Sequence, residues 1–167
     1  MQKIIHVAIA GCAVGLPGTR VRTVGIGSCV VVALYDPKAR VGGMFHAMLP
    51  SRKGSSHKSK EKEVASNGLD PKYVDEALGQ LILEIEKKGG RVRNLKATII
   101  GGASMFSHLL DANHALGRRN TEAVRILLNQ MRIPIVSEDT GGNVGRLAEL
   151  DIETGLVEIS KKVALGK

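Results

Sequence analysis

Apolar residues along the chain fall into blocks whose spacing changes from strand-like to helix-like and back. Residues 4–14 are mainly apolar and predict a first strand, followed by a turn at Leu16-Pro17-Gly18. Val30–Leu34 is almost wholly aliphatic, the pattern of a strand buried on both faces. Asp36-Pro37-Lys38-Ala39 has the residue order of a β-turn, with Asp first and Pro second. Val41–Leu49 returns as the partner strand and Pro50 ends it. After a polar stretch at 51–67, Asp70-Pro71 predicts a helix start, and Ala77, Leu78, Leu81, Ile82 and Ile85 form its apolar stripe up to Gly89-Gly90. LKATIIGGASMF reads as a strand breaking into a Gly-Gly turn. NTEAVRILLNQM reads as a second helix, capped by Asn120 or Thr121. IPIVSEDTGGNVGR is a strand with a glycine-rich loop, and RLAELDIETGLVEIS a hairpin turning at Glu153-Thr154-Gly155.

These blocks make strand hairpins with two helices inserted, without a continuous βαβα alternation. The expected fold is therefore α+β, with mixed, sandwich-like β-sheets and helices packed outside. At 167 residues the chain fits a single domain over 1–167. Aromatic residues make up only 2%, so aliphatic side chains and Met must fill the core.

Charge changes the picture modestly. There are 24 Lys and Arg against 16 Asp and Glu, a net +8, which favours acidic partners. Nucleic acid is the first such partner to weigh. Two Phe, two Tyr and no Trp supply little for base stacking, and no zinc-finger, RRM or KH pattern is present. The Ser/Lys-rich loop at 51–67, with Arg52, Lys53, Lys58, Lys60 and Lys62, is read as a mobile solvated loop, or as a basic lid over a substrate. No run reaches the length of a membrane span. Ile9-Ala10-Gly11-Cys12 loosely resembles a lipoprotein cleavage site, but too few apolar residues precede it and His6 interrupts them. The two cysteines form neither a disulfide framework nor a CxxC pair, which fits a reducing cytoplasm.

Candidate chemistry centres on TVGIGSCVVVALYDP, Thr23–Pro37, where Cys29 follows a flexible Gly-x-Gly. A turn centred between Pro37 and Lys38 pairs Asp36 with Ala39, Leu34 with Val41 and, further out, Cys29 with His46. Directly opposed residues have Cβ atoms about 4.5–5.5 Å apart on one face, so thiol and imidazole could meet. The imidazole could then take the thiol proton and hold the thiolate as an ion pair. Gly25 and Gly27 let the backbone turn beside the cysteine, and main-chain N–H groups around Gly27 and Ser28 could face an oxyanion. Thr23, six residues before Cys29, could supply a hydroxyl to orient the ring. On spacing alone the ordinary reading of Cys29 is a small buried hydrophobe, and of His46 a satisfied core residue. GxGxxV lacks the third glycine and following helix of a dinucleotide site, and His6, His57, His108 and His114 show no ligand spacing. No metal or cofactor is expected.

TVGIGSCVVVALYDP followed by GGMFHAMLP, then YVDEAL, GGASMF, LGRRN and DTGGNVGR in order, resembles the CheD family of bacterial chemoreceptor glutamine deamidases over residues 5 to 160. The resemblance implies that Cys29 is the nucleophile, His46 the general base and Thr23 the third member of a triad. It implies hydrolysis of receptor glutamine side chains to glutamate without a cofactor, and methyl-ester hydrolysis has also been ascribed to the family. The implied partners are the cytoplasmic helices of chemoreceptors and a CheC-type phosphatase. The implied fold resembles the catalytic domain of cytotoxic necrotizing factor toxins. The long loop at 51–67, and LGRRN where an Ile-Gly-x-Arg-Asn form is usual, depart from the family pattern. A non-catalytic adaptor for receptors or the phosphatase is the alternative function. Met105 and Phe106, beside the Gly-Gly turn of GGASMF, are candidates either for docking the receptor or partner or for capping the core.

Overall fold

The computed structural model describes residues 2–52, 68–104 and 111–162. Along the chain lie β1 (Lys3–His6), β2 (Gly11–Gly15), β3 (Thr19–Ile26), β4 (Val30–Asp36), β5 (Val41–Ala47), α1 (Val74–Lys87), β6 (Lys96–Gly101), α2 (Asp111–Gln130), β7 (Ile135–Thr140), β8 (Gly145–Asp151) and β9 (Val157–Lys162). Met105, Phe106 and the lysines of the 51–67 loop fall outside the described residues.

Two mixed sheets carry the fold. One runs β1-β3-β8-β9, with β1 and β3 parallel. The other runs β2-β5-β4-β6-β7, with β6 and β7 parallel. Val21, Ile26, Ala148 and Leu150 of the first sheet pack against Val31, Ala33, Met44 and Ile100 of the second. The opposite face of the second sheet offers Val30, Val32, Leu34, Phe45 and Ile99 to Leu78, Leu81 and Ile85 of α1 and to Val124 and Leu128 of α2. Strand β4 is thus covered twice, which accounts for its unbroken aliphatic run. The architecture is α+β, with two mixed sheets and both helices against one of them.

Several boundaries differ from the sequence expectation. The segment expected as one strand over 4–14 is two, in different sheets. The chain crosses between them at Val7–Ala10, where Ala10 adopts φ 63 and its N–H bonds the His46 carbonyl at 2.8 Å. Strand β3 is an addition to the sequence expectation: Val21 and Thr23 alternate with Arg20 and Arg22, whose guanidinium groups pair with Glu149 and Asp151. Helix α1 begins at Val74, later than Asp70-Pro71 suggested. Backbone bonds from Met48 and Leu49 to the Lys72 carbonyl, and from Val74 to the Leu49 carbonyl, hold Tyr73 extended against the end of β5. The Asp70 carboxylate accepts the Lys72 N–H in that turn instead of capping the helix.

Helix α2 starts at Asp111, so neither Asn120 nor Thr121 caps it. Both lie in its interior, and the Thr121 hydroxyl bonds back to the Arg118 carbonyl. Gly117 lies in the helix where the chain after β6 passes close against it. A Cβ on it would come within 2.6 Å of the Gly102 carbonyl oxygen.

Candidate active site

The β4–β5 hairpin does not take the register expected from its turn. The Asp36 carboxylate accepts the N–H groups of Lys38 and Ala39 at 2.8 and 3.0 Å, and also that of Arg91 at 2.9 Å. The Arg40 N–H reaches the Asp36 carbonyl, with Arg40 in the left-handed region at φ 56. The loop therefore holds Pro37 through Arg40, and the ladder opens at Asp36 with Val41. Leu34 faces Gly43 and His46 faces Val31, so the direct Cys29–His46 pairing is overturned. The displacement is even, and His46 stays on the face that Val31 and Ala33 present to the other sheet.

On that face His46 meets Thr23, which β3 directs into the same layer. Thr23 Oγ1 and His46 Nδ1 are 2.8 Å apart, and both residues are buried. The hydroxyl also donates to the Val7 carbonyl at 2.9 Å. A hydroxyl has one proton, so it must accept from the imidazole, which puts the ring proton on Nδ1. Nε2 is left as a bare lone pair. It is buried and has no hydrogen-bond partner, the Cys29 thiol included. Burial lowers the His46 pKa from 6.5 to about 4.

Cys29 lies on the loop between β3 and β4. Strand β3 carries an irregularity after Thr23, with Gly25 at φ 70, before Ile26 rejoins the ladder. The carbonyls of the next three residues are all engaged from one side. Gly27 O accepts from Ala103 N at 2.9 Å, Ser28 O from Asn120 Nδ2 at 3.0 Å, and Cys29 O from Gly102 N at 2.8 Å. In a trans peptide the N–H points opposite to the preceding carbonyl, so the N–H groups of Ser28, Cys29 and Val30 turn away from α2 and the end of β6. The thiol is half-buried. Burial raises its pKa, and its own backbone N–H, which favours the thiolate, offsets part of the rise. Burial pushes the imidazole down and the thiol up, and both directions disfavour a charged pair at rest. The cause is desolvation of both groups.

Cys12 lies elsewhere. It stands on β2 opposite Phe45, packs against the layer under the helices, and has its pKa raised to about 11 by burial and then by Glu84. A cavity of about 230 Å³ lined by Gly102, Ser104, Arg118, Thr121, Arg125 and the Gly141-Gly142 turn has neither Cys29 nor His46 in its wall. Among the described residues no group of three or more His, Cys, Asp or Glu is placed to hold a metal, and no helix is long and apolar enough to cross a membrane.

The loop is held tightly from below. Gly101, at φ 114, stands where a Cβ would collide with the Cys29 carbonyl oxygen and come within 2.8 Å of Ile26. Gly101→Ala is expected to cost about 2 kcal/mol or more in urea unfolding, since both the backbone conformation and the contact oppose it. A variant as stable as the parent would show that the loop can move aside freely. Asn120 is the site neighbour that sequence reasoning misassigned. Its position four and eight residues before Val124 and Leu128 puts it on the buried stripe of α2, a signal that was present in the spacing.

Taken together, this is an α+β protein that buries a histidine–threonine pair between two sheets, beside a half-buried cysteine on a glycine-rich loop. Residues 48–161 match the family model described as CheD chemotactic sensory transduction. The chain is 41% identical to a protein of Clostridium novyi named "Probable chemoreceptor glutamine deamidase CheD", over 97% of this chain and 94% of that one. It is 42% identical to the "Chemoreceptor glutamine deamidase CheD" of Thermotoga maritima, over 87% of this chain and 83% of that one. The chain belongs to the CheD family. A solved structure, the Bacillus licheniformis hypothetical protein YfiH, aligns with a TM-score of 0.44 and 15% identity over 76% of this chain, which spans about half (49%) of that chain.

Proposed function

We propose that this chain deamidates selected glutamine side chains of chemoreceptors to glutamate, with Cys29 as nucleophile, His46 as the base and acid, and Thr23 as the group that orients the ring. The names of its relatives support the reaction class. The observation that carries the residue roles is the Thr23–His46 hydrogen bond, which leaves Nε2 bare and buried, with His46 paired to Val31, two residues after Cys29.

The chemistry follows from that tautomer. As a glutamine side chain enters, Sγ attacks Cδ while Nε2 takes the thiol proton, so neither charge exists before substrate arrives. Negative charge develops on the amide oxygen, and the N–H groups of Ser28 and Cys29, turned away from α2, are available to receive it, with Gly27 giving the loop room. The imidazolium, an acid strengthened by burial, then gives its proton to the departing nitrogen, and ammonia leaves. A thioester remains. Nε2 removes a proton from water, the hydroxide attacks the thioester carbon, and the proton returns to sulfur as glutamate is released. A base of low pKa is a weak acceptor but a strong donor, which suits a reaction with a poor amine leaving group. The open distance between Sγ and Nε2 is expected to tighten when substrate binds.

A CheC-type phosphatase, a cytoplasmic location and docking through Met105 and Phe106 belong to the same proposal, as does a likeness to the cytotoxic necrotizing factor catalytic fold. Ammonia release from receptor fragments, with and without Cys29, tests the reaction. The orienting role has its own test. Thr23→Ala is expected to lower kcat by about three- to tenfold, the size of one buried hydrogen bond, with little change in KM. Thr23→Ser should restore part of the loss. An alanine variant with undiminished turnover removes Thr23 from the mechanism.

A further inference from the structure

We propose that Asn120 is a positioning residue that sets the gap between the Cys29 thiol and His46 by holding the two chain segments that carry them. The inference rests on the Cys29–His46 reading of the site and adds a residue outside it.

Asparagine is a poor choice for the interior of a helix, and α2 gains nothing locally from it. Asn120 is nevertheless fully buried, in line with Val124 and Leu128. Its amide nitrogen has two protons and donates both, to Ser28 O and to Met48 O, each at 3.0 Å. Ser28 immediately precedes Cys29, and Met48 follows His46 by two residues. The last ladder pair of β4 and β5 is Val30 with Ala47, so these two carbonyls lie just beyond the point where the strands stop pairing. One side chain thus replaces the ladder where the strands part, and fixes how far they part. The helix that holds it cannot easily retreat or advance. Gly117 lies against the Gly102 carbonyl, and Gly102 N–H holds the Cys29 carbonyl. Asn120 Oδ1 is buried and unpartnered, so the amide is oriented by its two donated bonds alone. A leucine of similar size would keep the helix packed but leave both carbonyls without their donor. The Cys29 loop and the end of β5 would then be free to seek other partners.

The test compares Asn120→Leu with Val124→Ala, which thins the same helix face and keeps the amide, both in a Cys12→Ala background. The readouts are kcat and KM for ammonia release from a receptor fragment, and the pH dependence of Cys29 alkylation by iodoacetamide. Asn120→Leu should lower kcat by roughly ten- to a hundredfold with KM within about threefold, because a small misplacement of reacting groups acts on turnover. Its alkylation profile should move away from the parent's, because the loop that sets the burial of the Cys29 thiol loses its hold at Ser28. Val124→Ala should lower the melting temperature yet leave kcat and the profile in place. Wild-type kcat and an unmoved profile in Asn120→Leu would overturn the inference, as would a Val124→Ala variant that reproduced both changes. If the leucine variant does not fold, Asn120→Ala also removes both donors and adds no bulk. The same losses are expected of it, and their absence overturns the inference equally. Failure of the underlying reading looks different, because Cys29→Ala would then still deamidate.

Discussion

Cys29→Ala is expected to abolish ammonia release from chemoreceptor fragments, by about four orders of magnitude or more, as when the nucleophile of a covalent mechanism is removed. The fold should barely register the change. The bonds that fix the loop come from the Gly102 and Ala103 N–H groups and the Asn120 side-chain amide to carbonyl oxygens, and none uses the sulfur. The melting temperature should therefore stay within a few degrees of the parent. Cys12→Ala is the matched control and should retain most activity. That thiol packs against the layer under the helices with its pKa raised to about 11, so almost none of it is thiolate at neutral pH. Cys29→Ser should also be inactive. A hydroxyl is far harder to deprotonate than a thiol, and His46, held to about 4, is too weak a base to compensate. Calorimetry and a coupled ammonia assay on the three variants decide the matter. If Cys12→Ala were dead and Cys29→Ala active, the nucleophile would be the wrong residue.

What could be read from the sequence, and what could not, divides along physical lines. The aliphatic run Val30–Leu34 announced a strand covered on both faces, and the stripe from Ala77 to Ile85 announced a helix, because burial imposes those periods directly. Cys29 and His46 were drawn together by a register that proved wrong. Asp36 caps a longer turn than its Pro suggested, which shifted every pair. The shift was even, so the face assigned to His46 survived. Thr23 was placed by its distance from Cys29, and its strand went unseen because arginines at Arg20 and Arg22 masked the alternation. Asn120 was mistaken for a helix cap because asparagine is among the favoured residues there, while its true partners are carbonyls remote in sequence. The direction in which each pKa moves is equally absent from the sequence, since it depends on how deeply the two groups are buried, which no local pattern encodes.

His46→Gln should lower kcat by about three orders of magnitude or more, since the same nitrogen serves every proton transfer in the scheme. It should also change how stability depends on pH. The folded pKa of His46 is about 4, below the ordinary 6.5. Above pH 6.5 the ring is neutral whether the chain is folded or not, and it imposes no penalty. As pH falls below 6.5 the unfolded chain binds a proton that the folded protein refuses, so stability declines until the folded ring also protonates near pH 4. A displacement of that size corresponds to about 3 kcal/mol across the window, at roughly 1.4 kcal/mol per pH unit. Asp36 and Glu76, whose pKa values are lowered by hydrogen bonds and by Arg52 respectively, also lose stability in acid. They do so equally in both proteins, and cancel in the comparison. Urea unfolding at pH 7 and pH 4.5 should therefore show the wild type losing about 2–3 kcal/mol more than His46→Gln. Parallel losses would mean that His46 is not held neutral between the sheets, and the tautomer that Thr23 imposes would no longer explain the bare Nε2.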